Sequence, residues 1–232
     1  QARVTNIKVA AAQFDGVVIA PGGIFSFNEH LGDVTEEMGY TEGLIISGGR
    51  TVAGIGGGVC QVSTTVFRAA FDAGLEIVER WPHAYRVSYY EPPVGLDATV
   101  YSPSVDFKFR NDTPYFIVIK TETDVDNYTV TFRFFSTKTG RVVEMEGPIK
   151  GDVVPHGEPV YQDDPSLPAG ATKQVDWAVD GLDVTVKRTV REGDQVVHQD
   201  TFFSRYEPWE AIFLRGTGGA TPEPAAEEAP AQ

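Results

Sequence analysis

Five residues, Gly54-Ile55-Gly56-Gly57-Gly58, hold four glycines and run straight into VCQVSTTVFRAAFDAG. Backbone this rich in glycine can take positive φ, and it lets another chain or a ligand approach where a Cβ would clash. Val62, Val66, Ala69 and Ala73 then recur at helical spacing, which predicts a single helix, with Gly74 available to close it in a left-handed conformation. Few polar residues interrupt this helix, so it is expected to be buried. Cys60 falls in its first turn.

Cys60 is the one cysteine among 232 residues, which excludes an intrachain disulfide and any multi-cysteine metal centre. The first N–H groups of a helix lack intrahelical partners and carry the positive end of its dipole. Both favour a thiolate and draw a thiol below its ordinary pKa of roughly 8.5. A cysteine acyl-transfer site also needs a base, and His83 is the best candidate. Pro82 sets the entry to a predicted strand on which His83 shares a face with Tyr85, Val87 and Tyr89. Asp97, in GLDATV on the next predicted strand, is the candidate for orienting the imidazole, with Asp106 as the second choice. Gly57, Gly58 and Gln61 would line the oxyanion position. Blander roles stand beside these: Cys60 packing as a small hydrophobe, the glycines as a tight connection, His83 as a hydrogen-bonded strand residue and Asp97 as a turn residue. Arg80 and Arg86 flank His83. They could meet a substrate carboxylate, but the excess of acids favours surface ion pairs.

That excess is large: Lys+Arg number 19 and Asp+Glu 33, a formal charge of −14. Such a chain is a poor ligand for nucleic acid or an anionic membrane, because both need a basic face. The four histidines, His30, His83, His156 and His198, show no metal-binding spacing, so a histidine-rich metal site is not expected, and the thiol reading itself implies neither a metal nor an organic cofactor. No apolar run reaches the roughly 18 residues that a membrane span needs. The chain opens at Gln1 without an initiator Met, which points to a processed form whose upstream part could carry an anchor.

Around the central motif, residues 3–14 show the spacing of a short amphipathic helix. PGGIFSFN reads as a turn leading into Phe25 and Phe27 at strand spacing, and DVTEEMGY as a loop. Leu44-Ile45-Ile46, bounded by Gly43 and Ser47-Gly48-Gly49, reads as a brief strand. After the buried helix the period changes to two. Strands are predicted at Leu75 and Ile77, His83–Tyr90, Asp97–Tyr101, Val105–Phe109, Tyr115–Lys120 and Tyr128–Phe135. A proline-rich stretch from Gly147 to Pro168 suits a linker or an extended entry strand. Further strands are predicted at Lys173–Val179, Leu182–Val190, Gln195–Ser204 and Trp209–Leu214. The class is α+β. The terminal GTGGATPEPAAEEAPAQ lacks large apolar residues and reads as a solvated tail.

Several of these stretches resemble a known family. PGGIFSFNEHLGDVTEEMGY, GIGGGVCQVSTTVFRAAFDAGLEIVERWPHAYRVSYY, GLDATV and VDFKFRN are similar to the VanW family, named from vancomycin-resistance gene clusters, over about residues 3–135. The order of a helix-opening Cys, then His-Ala-aromatic, then Asp is more distantly similar to the transglutaminase-like order of Cys, His and Asp. That likeness implies a papain/transglutaminase-like core, with a buried helix against an antiparallel sheet. From YQDDPSLPAG through GLDVTVKRTVREGDQVV to AIFLRG the chain resembles a G5 domain, with Gly170, Gly181, Gly193 and Gly216 at pattern positions and Ala178 in place of one glycine. The organisation expected is a VanW-like α+β domain over residues 1–147, a small all-β G5-like domain over 148–216 and a tail over 217–232.

The resemblances imply the cell envelope or its exterior, with peptidoglycan or another wall polymer as partner. Two functions follow. One is a thiol acyltransferase or amidohydrolase acting on peptide or amide bonds of peptidoglycan, with Cys60 as nucleophile, His83 as base then acid and Asp97 as orienter. The other is a non-catalytic wall-binding module in which Cys60 only packs.

Overall fold

The structure, a computed structural model, describes residues 2–47 and 50–219. The elements in chain order are α1 (Ala2–Ala12), β1 (Val18–Ile19), β2 (Ile24–Ser26), α2 (Phe27–Leu31), β3 (Glu42–Ser47), β4 (Arg50–Ile55), α3 (Val59–Asp72), β5 (Glu76–Glu79), β6 (Lys108–Arg110), β7 (Ile117–Asp124), β8 (Thr129–Phe135), β9 (Arg141–Val154), β10 (Val160–Pro168), β11 (Thr172–Asp176), β12 (Gly181–Glu192), β13 (Gln195–Tyr206) and β14 (Ile212–Gly218). They form two compact units. One comprises the residues up to Val153 with Leu182–Tyr206, the other Val154–Gly181 with the residues from Glu207 on. Among the described residues no helix is long and apolar enough to cross a membrane. Strand β14 runs to Gly218, and the expected tail from residue 220 on lies outside the described residues, as do Gly48 and Gly49.

The first unit is built around α3. Val62, Val66, Phe67 and Phe71 on its inner face are buried. At about 1.5–3 kcal/mol for each fully buried large apolar side chain, these four anchor the helix by roughly 6–12 kcal/mol. Phe67 packs edge-on against Phe107 and Phe202, with ring centroids 5.5 and 5.7 Å away. Phe14, Phe25 and Phe27 continue the aromatic core. The strands lie in small sheets ordered β2-β6-β5, β1-β7-β8, β3-β4 and β13-β12-β9. At the end of α3, the buried Arg188 of β12 donates to the carbonyls of Phe71 (3.0 Å) and Leu75 (2.8 Å) and pairs with Asp200 of β13. A cation at these unpaired carbonyls suits the negative end of the helix, and it ties the β12–β13 hairpin to α3.

The expected α+β class with a papain/transglutaminase-like core is corrected. Strand accounts for 47% and helix for 16%, and the strands form several small sheets rather than one antiparallel sheet behind a helix. The reason is visible where a continuous sheet was expected. The stretch His83–Tyr90 is not a strand, and it contains only a single 3-10 turn at Ser88–Tyr90. Asp97–Tyr101 contributes only isolated bridges, Trp81 to Thr99 and Tyr101 to Val105. Pro82, Pro92, Pro93 and Pro103 withhold ladder donors across this region. Side chains of α3 satisfy the backbone in their place. Ser63 Oγ and Thr64 Oγ1 donate to the Ala98 carbonyl (2.6 and 3.3 Å), Thr64 Oγ1 accepts from Ala98 N–H (3.1 Å), and Arg68 donates to the carbonyls of Leu96 (2.8 Å) and Tyr90. Buried backbone groups must be paired somewhere, and here a helix face does what a neighbouring strand would otherwise do.

In the second unit β14 is central. It runs parallel to β10, with Tyr161 opposite Phe213, and antiparallel to β11. Gly216 sits where a Cβ would lie 1.9 Å from the Pro168 carbonyl oxygen, so this crossing requires glycine.

Candidate functional site

The glycine turn sets where α3 begins. Gly56 and Gly58 hold φ of 88° and 118°, and Gly58 is the residue that caps the helix. A Cβ on Gly57 would stand 2.5 Å from the Leu44 carbonyl oxygen, so the turn presses on β3 as only glycine can. The buried Asn6 of α1 locks this approach. Its Nδ2 donates to the carbonyls of Gly57 (3.0 Å) and Thr41 (2.9 Å), and its Oδ1 accepts from Thr41 N–H (2.7 Å). Cys60 is therefore the second residue of a helix whose first turn is fixed from two sides.

The segment that α3 side chains hold in place runs alongside the sulfur. Cys60 Sγ lies 3.7 Å from Thr99 Oγ1 and 3.6 Å from the Val100 carbonyl oxygen. Asp97, two residues before Thr99, is buried and fully engaged. One carboxylate oxygen accepts from His83 Nδ1 (2.6 Å) and from His83 backbone N–H (2.7 Å). The other accepts from Arg80 Nη2 (3.1 Å) and from the Tyr206 hydroxyl. Arg80 is itself held by the carbonyls of Asp97 (2.6 Å) and Gly95 (3.1 Å) and by Ser204 Oγ (3.0 Å).

His83 is 4% exposed. Its Nδ1 is committed to Asp97, while its Nε2 is buried with no hydrogen-bond partner within bonding geometry. The Tyr90 ring covers the imidazole at 4.9 Å between centroids. Burial alone would lower the His83 pKa, but Asp97 and the neighbouring Cys60 raise it to about 9. Burial pushes the Cys60 thiol up, but the His83 imidazole beside it outweighs this and holds it below the ordinary thiol value. Burial would also raise Asp97, yet His83, Arg80 and Tyr206 keep its carboxyl well below the usual carboxylate range. The two shifts run in the direction of imidazolium and thiolate, beside the Asp97 carboxylate.

The remaining candidates fall as follows. Gln61 follows Cys60 in the helix, and its Oε1 accepts from Arg3 (3.2 Å). Gly57 and Gly58 lie in the turn just before the thiol, packed on β3 and α1 respectively. Asp106 sits elsewhere. It accepts from Ser26 Oγ (2.6 Å) and Asn28 N–H (2.9 Å) at the start of α2. Arg86 pairs with Glu91, whereas Arg80 is a buried partner of Asp97 rather than a surface ion. Sequence reasoning gave Arg80 to a substrate carboxylate or a surface ion pair rather than to Asp97, and it missed Tyr90 and Tyr206 as parts of the site. Tyr206 lies 109 positions from Asp97 and gives no local signal. Among the described residues no cluster of three or more His, Cys, Asp or Glu side chains is placed to hold a metal ion.

A family model described as "VanW like protein" matches residues 2–135. The uncharacterized protein YoaR of Bacillus subtilis (strain 168) is 42% identical over 120 residues, covering 52% of this chain and 39% of that protein. The vancomycin B-type resistance protein VanW of Enterococcus faecalis (strain ATCC 700802 / V583) is 34% identical over 115 residues, covering 48% of this chain and 42% of that protein. The chain thus matches only about two-fifths of the length of these relatives. Two solved structures, an IgA1 protease G5 domain and HP0197-G5, are each 20% identical and cover 34% and 33% of this chain (90% and 97% of their own), but with TM-scores of 0.22 and 0.17 they carry no argument about its fold. The matched stretch contains the glycine turn, α3 and the whole Cys60, His83 and Asp97 arrangement, and on that match the chain belongs to the VanW-like family.

Proposed function

We propose that the first unit is a cysteine-dependent acyl-transfer or hydrolysis site for peptide or amide bonds, working at the cell envelope on peptidoglycan. One observation carries this reading: a buried histidine whose Nδ1 is clamped by Asp97 keeps an unpartnered Nε2 next to a helix-start thiol. Asp97 fixes the tautomer and stabilises imidazolium. His83 takes the thiol proton, and the Cys60 thiolate attacks an amide carbonyl to give a thioester. His83 then returns the proton to the departing amine. Water, or a second amine, releases the acyl group. The first-turn N–H groups of α3 and the Gly57–Gly58 backbone are the nearest donors for the oxyanion. The wall setting draws on the family and on the printed name of the Enterococcus faecalis relative.

The test is alkylation of Cys60 by iodoacetamide, with Cys60→Ser and His83→Gln, alongside mass spectrometry of purified peptidoglycan fragments incubated with the protein. Fast labelling that His83→Gln slows, with fragment masses changed only by protein retaining Cys60, is the expected result. Labelling no faster than free cysteine and indifferent to His83→Gln would leave the second reading, a wall-binding module with a packed thiol. The contacts of Sγ with Thr99 and Val100 favour that alternative.

A further inference from the structure

Four guanidinium groups lie around the Cys60 site, and three are spoken for. Arg80 is bound to Asp97, Arg86 makes a two-point pair with Glu91, and Arg68 is spent on main-chain carbonyls. Arg3 differs. Its stem crosses Gly58, where an added Cβ would lie 3.2 Å from its Cγ. Its Nη2 donates to Gln61 Oε1 at 3.2 Å, and its guanidinium lies over the exposed Tyr89 ring, 4.8 Å from the centroid. Among the described residues no carboxylate pairs with it, in a chain with 33 acidic residues against 19 basic ones. Burial pushes the Tyr90 phenol up while a hydrogen bond from Arg3 pulls it the other way, so the guanidinium also engages the hydroxyl of the residue whose ring covers His83.

We infer that Arg3 is the specificity-determining residue of this site, reading a carboxylate on the substrate beside the carbonyl that Cys60 attacks. A guanidinium offers five donors in a planar fork suited to a carboxylate; Gln61 and the Tyr90 hydroxyl engage two of them and Tyr89 covers one face. The fork is therefore held in place with donors still available, at a cation that no carboxylate among the described residues neutralises. Gln61 acts as its positioning residue, which gives that side chain a role distinct from holding an oxyanion. The substrate class is an acyl donor carrying a free carboxylate close to the scissile amide.

This inference rests on the thiol reading above, and a pair of alkylating agents separates the two. Iodoacetate and iodoacetamide differ by carboxylate against carboxamide. With each, the Cys60 thiolate forms a C–S bond and iodide leaves with the bonding electrons. The readout is the ratio of the two rate constants at Cys60 in the whole chain, compared with free cysteine. Arg3→Met keeps the stem over Gly58 and removes the charge. It should lower the iodoacetate-to-iodoacetamide ratio about tenfold, the size expected for a charge-assisted contact of roughly 1.4 kcal/mol, and Arg3→Lys should restore part of it. His83 is retained in both variants, so its own attraction for iodoacetate cancels. A ratio unchanged by Arg3→Met overturns the inference whether or not labelling is fast. A ratio that falls while iodoacetamide labelling stays as slow as free cysteine upholds Arg3 as a carboxylate reader and sinks the nucleophile.

Discussion

A single carboxylate oxygen of Asp97 accepts from both the ring and the main chain of His83, Nδ1 at 2.6 Å and backbone N–H at 2.7 Å. This fixes the imidazole in position and in tautomer together, because an ionised carboxylate can only accept. It leaves Nε2 as the nitrogen that can trade a proton with the sulfur.

Replacing that carboxylate should cost stability as well as chemistry. Asp97→Asn leaves the Arg80 guanidinium, 4% exposed, without its counter-charge. Losing one member of such a buried pair costs about 3–5 kcal/mol, readable as a lower urea midpoint. The pH dependence has a definite sign. The folded pKa of Asp97 lies below the unfolded value of roughly 3.9, so its contribution is complete above that value and drains away as pH falls toward the folded pKa. Acid unfolding of the variant should therefore be shallower than that of the parent.

The alkylation rate of Cys60 should rise with pH through a midpoint below the roughly 8.5 of a free thiol, because thiolate is the reacting form. His83 remains imidazolium up to about 9, so the whole rising limb is supported by its charge. In His83→Gln the lowering by the imidazole is lost, while burial still raises the thiol and the Thr99 hydroxyl still lowers it. The midpoint should therefore lie above that of the parent, and a shift the other way would contradict the assignment.

Gly57→Ala places a methyl 2.5 Å from the Leu44 carbonyl oxygen and 2.9 Å from its nitrogen. Backbone must move, at a cost of about 1–3 kcal/mol. The start of α3 should move with it, so the variant is expected to show both a lower thermal midpoint and slower alkylation of Cys60.

Arg188→Met should loosen the β12–β13 hairpin. It deletes the bonds to Phe71 and Leu75 and the pair with Asp200, about 3 kcal/mol in all. Hydrogen exchange in Leu182–Tyr206 is the measurement, with faster opening there than in α1 as the expected pattern.

Helix α3 was legible because two signals coincide in it: glycines that admit the turn, and the helical spacing of Val62, Val66, Ala69 and Ala73, of which Val62 and Val66 are buried while Ala73 is exposed at the C-cap. The turn-bounded pairs β7–β8 and β12–β13 were legible from alternation. The stretches His83–Tyr90 and Asp97–Tyr101 were misread as strands because the apolar alternation in this region is real but its partner is not a strand. Ser63, Thr64 and Arg68 pair its backbone, and residues 96, 97 and 98 are all buried, which no single-faced strand permits. Cys60, His83 and Asp97 could be nominated by residue type and order. Arg80 could not be told from a surface cation, since its burial depends on a tyrosine and a serine supplied by the hairpin more than a hundred positions later.

Tyr206 is the last residue of the first unit, and its hydroxyl completes the set of donors around Asp97. During synthesis the thiol, the imidazole and the carboxylate all leave the ribosome long before this phenol does. A nascent chain therefore carries an incompletely braced Asp97 until its final hairpin arrives, and any fragment ended at the family match, at residue 135, would preserve that immature state permanently.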